Sequence, residues 1–229
     1  MHHEQHLKSS DTIRDIVIGM SDGLTVPFAL AAGLSGAVNS STIVVTAGIA
    51  EIVAGSIAMG LGGYLAGKTE ADHYKSELKR EYDEVARVPQ QEKQEVMEVF
   101  SEFGLSETLQ REIADEMAKD KDKWVDFMMR YELGLEKPQE NRATQSAITI
   151  GVSYIVGGII PLSPYFFIAD AHIALYYSCA ITIVCLFIFG YFKSKMTGQP
   201  AFAGALKVMI IGALAAAAAF IMAKVISGG

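Results

Sequence analysis

Apolar residues fall into five long runs, at roughly 13–38, 42–67, 144–163, 172–192 and 202–226. Each is long enough to cross a bilayer as a helix rising ~1.5 Å per residue. From 68 to 143 the pattern changes. Val96, Val99, Phe100, Phe103, Ile113, Met117, Trp124, Phe127 and Met128 recur at helical spacing among charged residues, the mark of amphipathic helices. The sequence therefore predicts an all-α polytopic membrane protein. It has a polar tail (1–12), transmembrane helices one and two (13–67), an acidic helical insert (68–143) and transmembrane helices three to five (144–229). KTEADHYKSELKREYDEVAR extends the second span as one long helix. Pro89 opens the next helix, which Gly104 stops; Ser106 caps a third; and a fourth runs from KDKW to near Gly134 and Pro138. About 75 residues with such a stripe make a small bundle of marginal stability on its own.

Composition agrees: 51% hydrophobic residues and a mean hydropathy of +0.28 exclude an ordinary soluble domain. Of 26 acidic residues, 20 lie between Lys68 and Arg142, against 13 Lys and Arg in the same stretch. Cys179 and Cys185, six apart within one apolar run, offer neither metal-type spacing nor a disulfide framework. His2, His3 and His6 read as a solvated tail rather than a weak metal site, and the first run is too long for the core of a signal peptide. An odd number of spans puts the termini on opposite sides. Lys8, Arg14, Lys68, Lys193 and Lys195 flank one set of loops, whereas the connection at Asn39 is uncharged and that at Asp170 carries one acid. The positive-inside bias then places the N-terminus, the insert and the 193–201 loop in the cytosol and the C-terminus beyond the membrane.

Two acids stand in the wrong solvent. Asp22, close to the middle of the first span among Gly19, Ser21, Gly23, Thr25 and Pro27, costs roughly 2.5–3.5 kcal/mol to insert. The bland reading is a cap on a broken helix or a partner within the bundle; the sharper one is an ion or proton pathway. Glu51 is the second. Met59 lies eight residues on, about 80° around the helix and so on the same broad face. With the two helices antiparallel, Met59, Asp22 and Glu51 form a ladder across the membrane, spaced by less than ~10 Å each. In the insert, Glu77, Glu81 and Glu84, and then Glu92, Glu95 and Glu98, repeat at three- and four-residue spacing. Like charges there repel by a few tenths of a kcal/mol per pair. Arg80, Arg87 and Lys93 dilute this only in part; for any single glutamate the bland reading is a solvated acidic face, whereas for the whole cluster a divalent cation would turn repulsion into binding.

GMSDGLTVPFALAAGLSG, AGIAEIVAGSIAMGLGGYLAGKTEADHY, KREYDEV, QEKQEVMEVF, FMMRYELGLE and SAITIGVSYIVGGIIPLSPYF together resemble the vacuolar iron transporter family of plants and its fungal and protist relatives, over essentially the whole chain. The insert resembles that of the insert-bearing members rather than the nodulin-like ones. The resemblance implies a homodimer in the vacuolar membrane that moves ferrous iron, and often manganese, from cytosol to vacuole in exchange for protons. It also implies a path between the first two spans of each subunit. The family's membrane-site residues fall on Asp22, Glu51 and Met59, and its insert metal ligands on Glu81, Glu84, Glu92, Glu95, Met128, Met129 and Glu132. The partners expected are metal ions, protons, lipid and a second copy of the chain, with no nucleic acid.

The donor chemistry agrees. Carboxylates suit Fe2+ and Mn2+, and a thioether shifts preference away from Mg2+ and Ca2+; Co2+ and Zn2+ are not ranked against iron by these residues. Metal and proton compete for the same oxygens, which is a route to antiport. A di-iron oxidase would want two Glu-x-x-His motifs on facing helices, and Glu70–His73 supplies one, so no enzyme is expected. A membrane-tethered metal sensor or buffer remains as the alternative, against which the buried Asp22 and Glu51 argue.

Overall fold

The computed structural model describes residues 10–227; the first nine residues of the polar tail, with its histidines, and the end of the C-terminal SGG lie outside the described residues. Eight α-helices account for nearly all of it: α1 (Ser10–Ala37), α2 (Ser41–Arg87), α3 (Pro89–Glu102), α4 (Glu107–Met117), α5 (Lys121–Phe127), α6 (Arg142–Leu162), α7 (Ala171–Met196) and α8 (Ala201–Ile226). Five of them, α1, α2, α6 with a 3-10 turn over Ser163–Phe166, α7 and α8, are long and apolar enough to cross a membrane. Contacts divide the chain into two compact units, residues 1–64 with 143–229, and residues 65–142. The single helix α2 runs through both.

In the first unit, close packing depends on small residues. A Cβ on Gly19 would lie 2.4 Å from the Ile150 carbonyl oxygen, and one on Gly23 2.3 Å from that of Tyr154. Gly157 answers from α6, where a Cβ would lie 2.9 Å from the backbone nitrogen of Leu24. Helices α1 and α6 thus touch backbone to backbone, as small residues permit in membranes where no hydrophobic effect drives association. Pro27 sits inside α1 without breaking it, so Asp22 does not cap a broken helix. Ala31, Val44, Ile52, Leu162, Tyr165, Ala171 and Ala174 form one buried cluster, and Phe28, Ala32 and Ala216 another. Two buried polar pairs lie within the bundle: Ser35 with the Tyr165 hydroxyl at 2.9 Å, and the Ser178 hydroxyl donating to the Pro161 carbonyl at 2.6 Å. At one end the α1–α2 and α6–α7 connections are tied together. Ser41 N–H donates to Ala169 and Ala171 N–H to Asn39, while His172 Nε2 meets Asn39 Oδ1 at 2.9 Å. Asp170 caps α7 by accepting from the backbone N–H groups of His172 and Ile173.

In the second unit, Val85, Val96, Ala114, Trp124, Val125, Met128 and Met129 form the core, flanked by Phe100, Met117 and Phe127. Pro89 opens α3, and the chain leaves it through Gly104 at φ +76, a conformation that disfavours any residue with a Cβ. Two expectations for this unit are corrected. Ser106 stands in the extended N-cap conformation of α4, but its side chain makes no capping hydrogen bond. Instead the Gln110 amide donates to the Leu105 carbonyl at 2.6 Å and holds the turn from the other side. The last helix of the insert is not one helix to Gly134. It starts on a true side-chain cap, Asp120 accepting from Lys123 N–H, and after Phe127 widens into a π-helical turn over Met128–Glu132. There Leu133 N–H reaches back to the Met128 carbonyl.

Candidate functional site

The membrane carboxylates sit on the two spans that face α6. Gly23, next to Asp22, rests on the backbone of Tyr154, and Gly55, one turn after Glu51, leaves room for the ring of the same tyrosine: a Cβ there would lie 2.5 Å from its hydroxyl oxygen. The Tyr154 hydroxyl donates to Glu51 Oε1, while Glu51 Oε2 is buried without a hydrogen-bond partner among the described residues. A buried acceptor left unmet usually costs about 1–3 kcal/mol, more when charged. Asp22, Glu51 and Met59 are all half-buried. Tyr154 is 2% exposed and links the helix of Asp22 to that of Glu51. It was invisible in the sequence, because a tyrosine in a span is unremarkable and its partner lies 103 residues away. Asp15, which stands at the start of the first apolar run, is also buried.

In the second unit, α2 brings Glu77, Glu81 and Glu84 to one face, and Arg80 lies among them. Its guanidinium is 2.8 Å from Glu77, 3.4 Å from Glu84 and 3.8 Å from Glu81, although it is not aligned to donate to Glu77 Oε2. Lys93 is drawn away to Asp115 at 2.7 Å. Glu81 and Glu92 are 1% and 2% exposed, and each keeps one oxygen buried without a partner. Burial raises the pKa of both; for Glu81 the Glu84 carboxylate adds to it, and for Glu92 burial followed by Glu95, Glu81 and Glu84 pushes the value to about 7. Glu95 is half-buried and accepts from the Gln91 amide, whereas Glu98 faces water. Glu132, an exposed residue at the edge of the group, is pushed to about 7 by partial desolvation and then by Glu95 and Glu81. The π turn that carries Glu132 also carries Met128 and Met129, both fully buried in the apolar core. Among the described residues, no three His, Cys, Asp or Glu side chains stand close enough together to hold an ion as they are.

The fold and these sites define a five-span helical membrane protein with ionisable side chains inside its first two spans and an acidic helical insert after the second. The chain belongs to the VIT family, whose model matches residues 13–224. It is 52% identical to vacuolar iron transporter 1 of Tulipa gesneriana, over 98% of this chain and 91% of the relative. It is 53% identical to vacuolar iron transporter 1 of Arabidopsis thaliana, over 98% and 90%. Identity to protein CCC1 of Saccharomyces cerevisiae is 41%, over 93% of this chain and 69% of the relative.

Proposed function

We propose that this chain is a transporter and not an enzyme, and that it carries ferrous iron, with manganese as a second substrate, from cytosol into vacuole in exchange for protons. The observation that carries the reading is the pair of carboxylates on α1 and α2, one of which keeps a buried oxygen with no partner. A permanent anion in that position is costly, whereas an oxygen that alternates between a metal ion and a proton is never left bare for long. The naming of its plant relatives as vacuolar iron transporters supports iron and the vacuole. Asp22, Glu51 and Met59 form the path, and Tyr154 positions Glu51. The working unit is a homodimer, with the N-terminus and insert cytosolic and the C-terminus lumenal. In the insert, Glu81, Glu84, Glu92, Glu95 and Glu132, with Met128 and Met129 behind them, collect the cation, which draws the spread carboxylates together.

Uptake of Fe2+ into sealed proteoliposomes carrying an internal dye tests the reading. Asp22→Ala is expected to abolish uptake in a correctly inserted dimer. Glu51→Gln keeps size and hydrogen bonding but cannot titrate, so it is expected to remove the dependence of uptake on an acidic interior. Wild-type rates for Asp22→Ala would overturn the proposal. For the insert, Glu81→Gln, Glu84→Gln, Glu92→Gln and Glu95→Gln together should remove most high-affinity metal binding by calorimetry, while transport falls but survives.

A further inference from the structure

A cavity of about 420 Å³ opens where α7 turns into α8, lined in part by Ser21 of α1, Lys193, Ser194 and Gln199 at the turn, and Lys207 of α8. No carboxylate lines it, and among the described residues neither lysine forms an ion pair. Lys207 is the seventh residue of α8, roughly 9 Å along a helix that is otherwise apolar over that length. A lysine placed there must reach toward the membrane surface or meet an anion.

The neighbouring backbone supplies donors. The last carbonyls of α7 are already used: Lys193 O accepts from both the backbone N–H and the hydroxyl of Thr197, and Ser194 O from the Thr197 hydroxyl and Gln199 N–H. Gly198, at φ +69, makes that closure. The first turn of α8, by contrast, follows Pro200 and has no side-chain cap, so its N–H groups and the positive end of its dipole remain available. Ser194 adds an independent sign. It is 6% exposed, its hydroxyl has no hydrogen-bond partner among the described residues, and it lies against Gly204, another lining residue: a Cβ on Gly204 would fall within bonding distance of that hydroxyl. With no protein partner, the Ser194 hydroxyl is free to donate to a guest in the cavity.

We infer that this cavity binds a phosphate group, carried by an anionic lipid headgroup or free in solution, between Lys193 and Lys207 with Ser194 donating to it. Basic pockets between membrane helices are suited to headgroup phosphates, and the site does not depend on which ion the protein moves.

The test uses the full chain in neutral detergent. Native mass spectrometry is run with dioctanoyl phosphatidate and with dioctanoyl phosphatidylcholine, and thermal unfolding with inorganic phosphate against chloride at equal ionic strength. One phosphatidate per chain is expected, with phosphatidylcholine binding much more weakly. Lys193→Gln with Lys207→Gln should weaken binding at least about tenfold, the size of a lost charged hydrogen bond, whereas Lys193→Arg with Lys207→Arg and the outlying Lys195→Gln should retain it. Ser194→Ala, which removes only the hydroxyl, should weaken binding severalfold and decides the matter if the double glutamine variant does not fold. Stabilisation by inorganic phosphate that competes with phosphatidate assigns the source as the free ion; phosphatidate binding without it assigns the lipid. Equal binding of the two lipids, unchanged binding in both the glutamine and Ser194→Ala variants, or no response to either phosphate source overturns the inference.

Discussion

Glu51 receives the Tyr154 hydroxyl on one oxygen and nothing on the other. Tyr154→Phe removes that donor and leaves the ring in place, so it is expected to slow iron uptake by about tenfold, the effect of losing one hydrogen bond to a charged group, with the protein folded and inserted. Uptake equal to wild type would mean that Tyr154 only fills space. The acids themselves were legible, because a carboxylate in an apolar run stands out in one dimension; their tyrosine was not, because the contact exists only between helices. Glu92 gives a second residue-scale prediction. Its pKa rises from an ordinary 4.5 to about 7 on folding, so its contribution to stability is complete below about 4.5 and is lost as pH climbs through about 7. Metal-free protein should therefore unfold at progressively lower temperature between about pH 5 and pH 7. Trp124, the chain's single tryptophan, lies in the core of the insert and reports it by fluorescence. Glu132 acts in the same direction but less, because water reaches it. The depressed carboxyls of Asp115 and Asp120 oppose the trend only below pH 3.8, outside this window. Added Fe2+ should flatten or reverse the slope, since a bound cation needs the carboxylates deprotonated.

Between elements, glycines decide what can approach. A Cβ at Gly23 would meet the Tyr154 backbone at 2.3 Å, and backbone cannot rotate aside, whereas a Cβ at Gly62 meets nothing within 4 Å. Gly23→Ala is expected to destabilise the protein by roughly 1–3 kcal/mol through overpacking, and Gly62→Ala to leave the folded monomer unchanged. Thermal unfolding in detergent separates them, and equal effects would contradict the α1–α6 contact. Five spans, the continuous α2, and the stops at Pro89 and Gly104 were readable, because hydrophobic period, proline and glycine act locally. The Ser106 cap and the π turn were not. A serine before a helix offers a cap, but here Gln110 reaches the turn from the helix interior and the hydroxyl is not used. The widened turn over Met128–Glu132 has no sequence signature, since MMRYE satisfies α-helical preference equally well.

At the scale of the whole molecule, α2 presents a face that the described residues do not cover. Ala50, Ala54, Ala58 and Gly62 recur every four residues and are all exposed, with Val53, Ile57 and Leu61 beside them. Small residues at that spacing suit close helix pairing in a membrane, and the proposed homodimer places its path between the first two spans of each subunit. Ala54→Cys, in a background with Cys179→Ser and Cys185→Ser, should form a cross-linked dimer on oxidation in membranes, while Leu214→Cys on α8 should not. Efficient cross-linking from Leu214 and none from Ala54 would move the dimer to the other side of the bundle.

By itself the sequence determined the class of molecule and its anomalies: which segments are apolar enough to leave water, where they stop, and which acids are carried where acids are costly. These are one-dimensional properties, set by composition and helical period. Tertiary structure alone decided the company those acids keep. Tyr154 reaches Glu51 because α6 packs within backbone distance of α1 at Gly19, Gly23 and Gly157 and leaves its tyrosine ring against Gly55 of α2. In the insert, Glu81 and Glu92 are buried with an oxygen unpartnered while Glu98, on the same three-residue repeat as Glu92, faces water. Spacing along a helix fixes which residues share a face; only the helices packed against that face determine whether it meets water or protein.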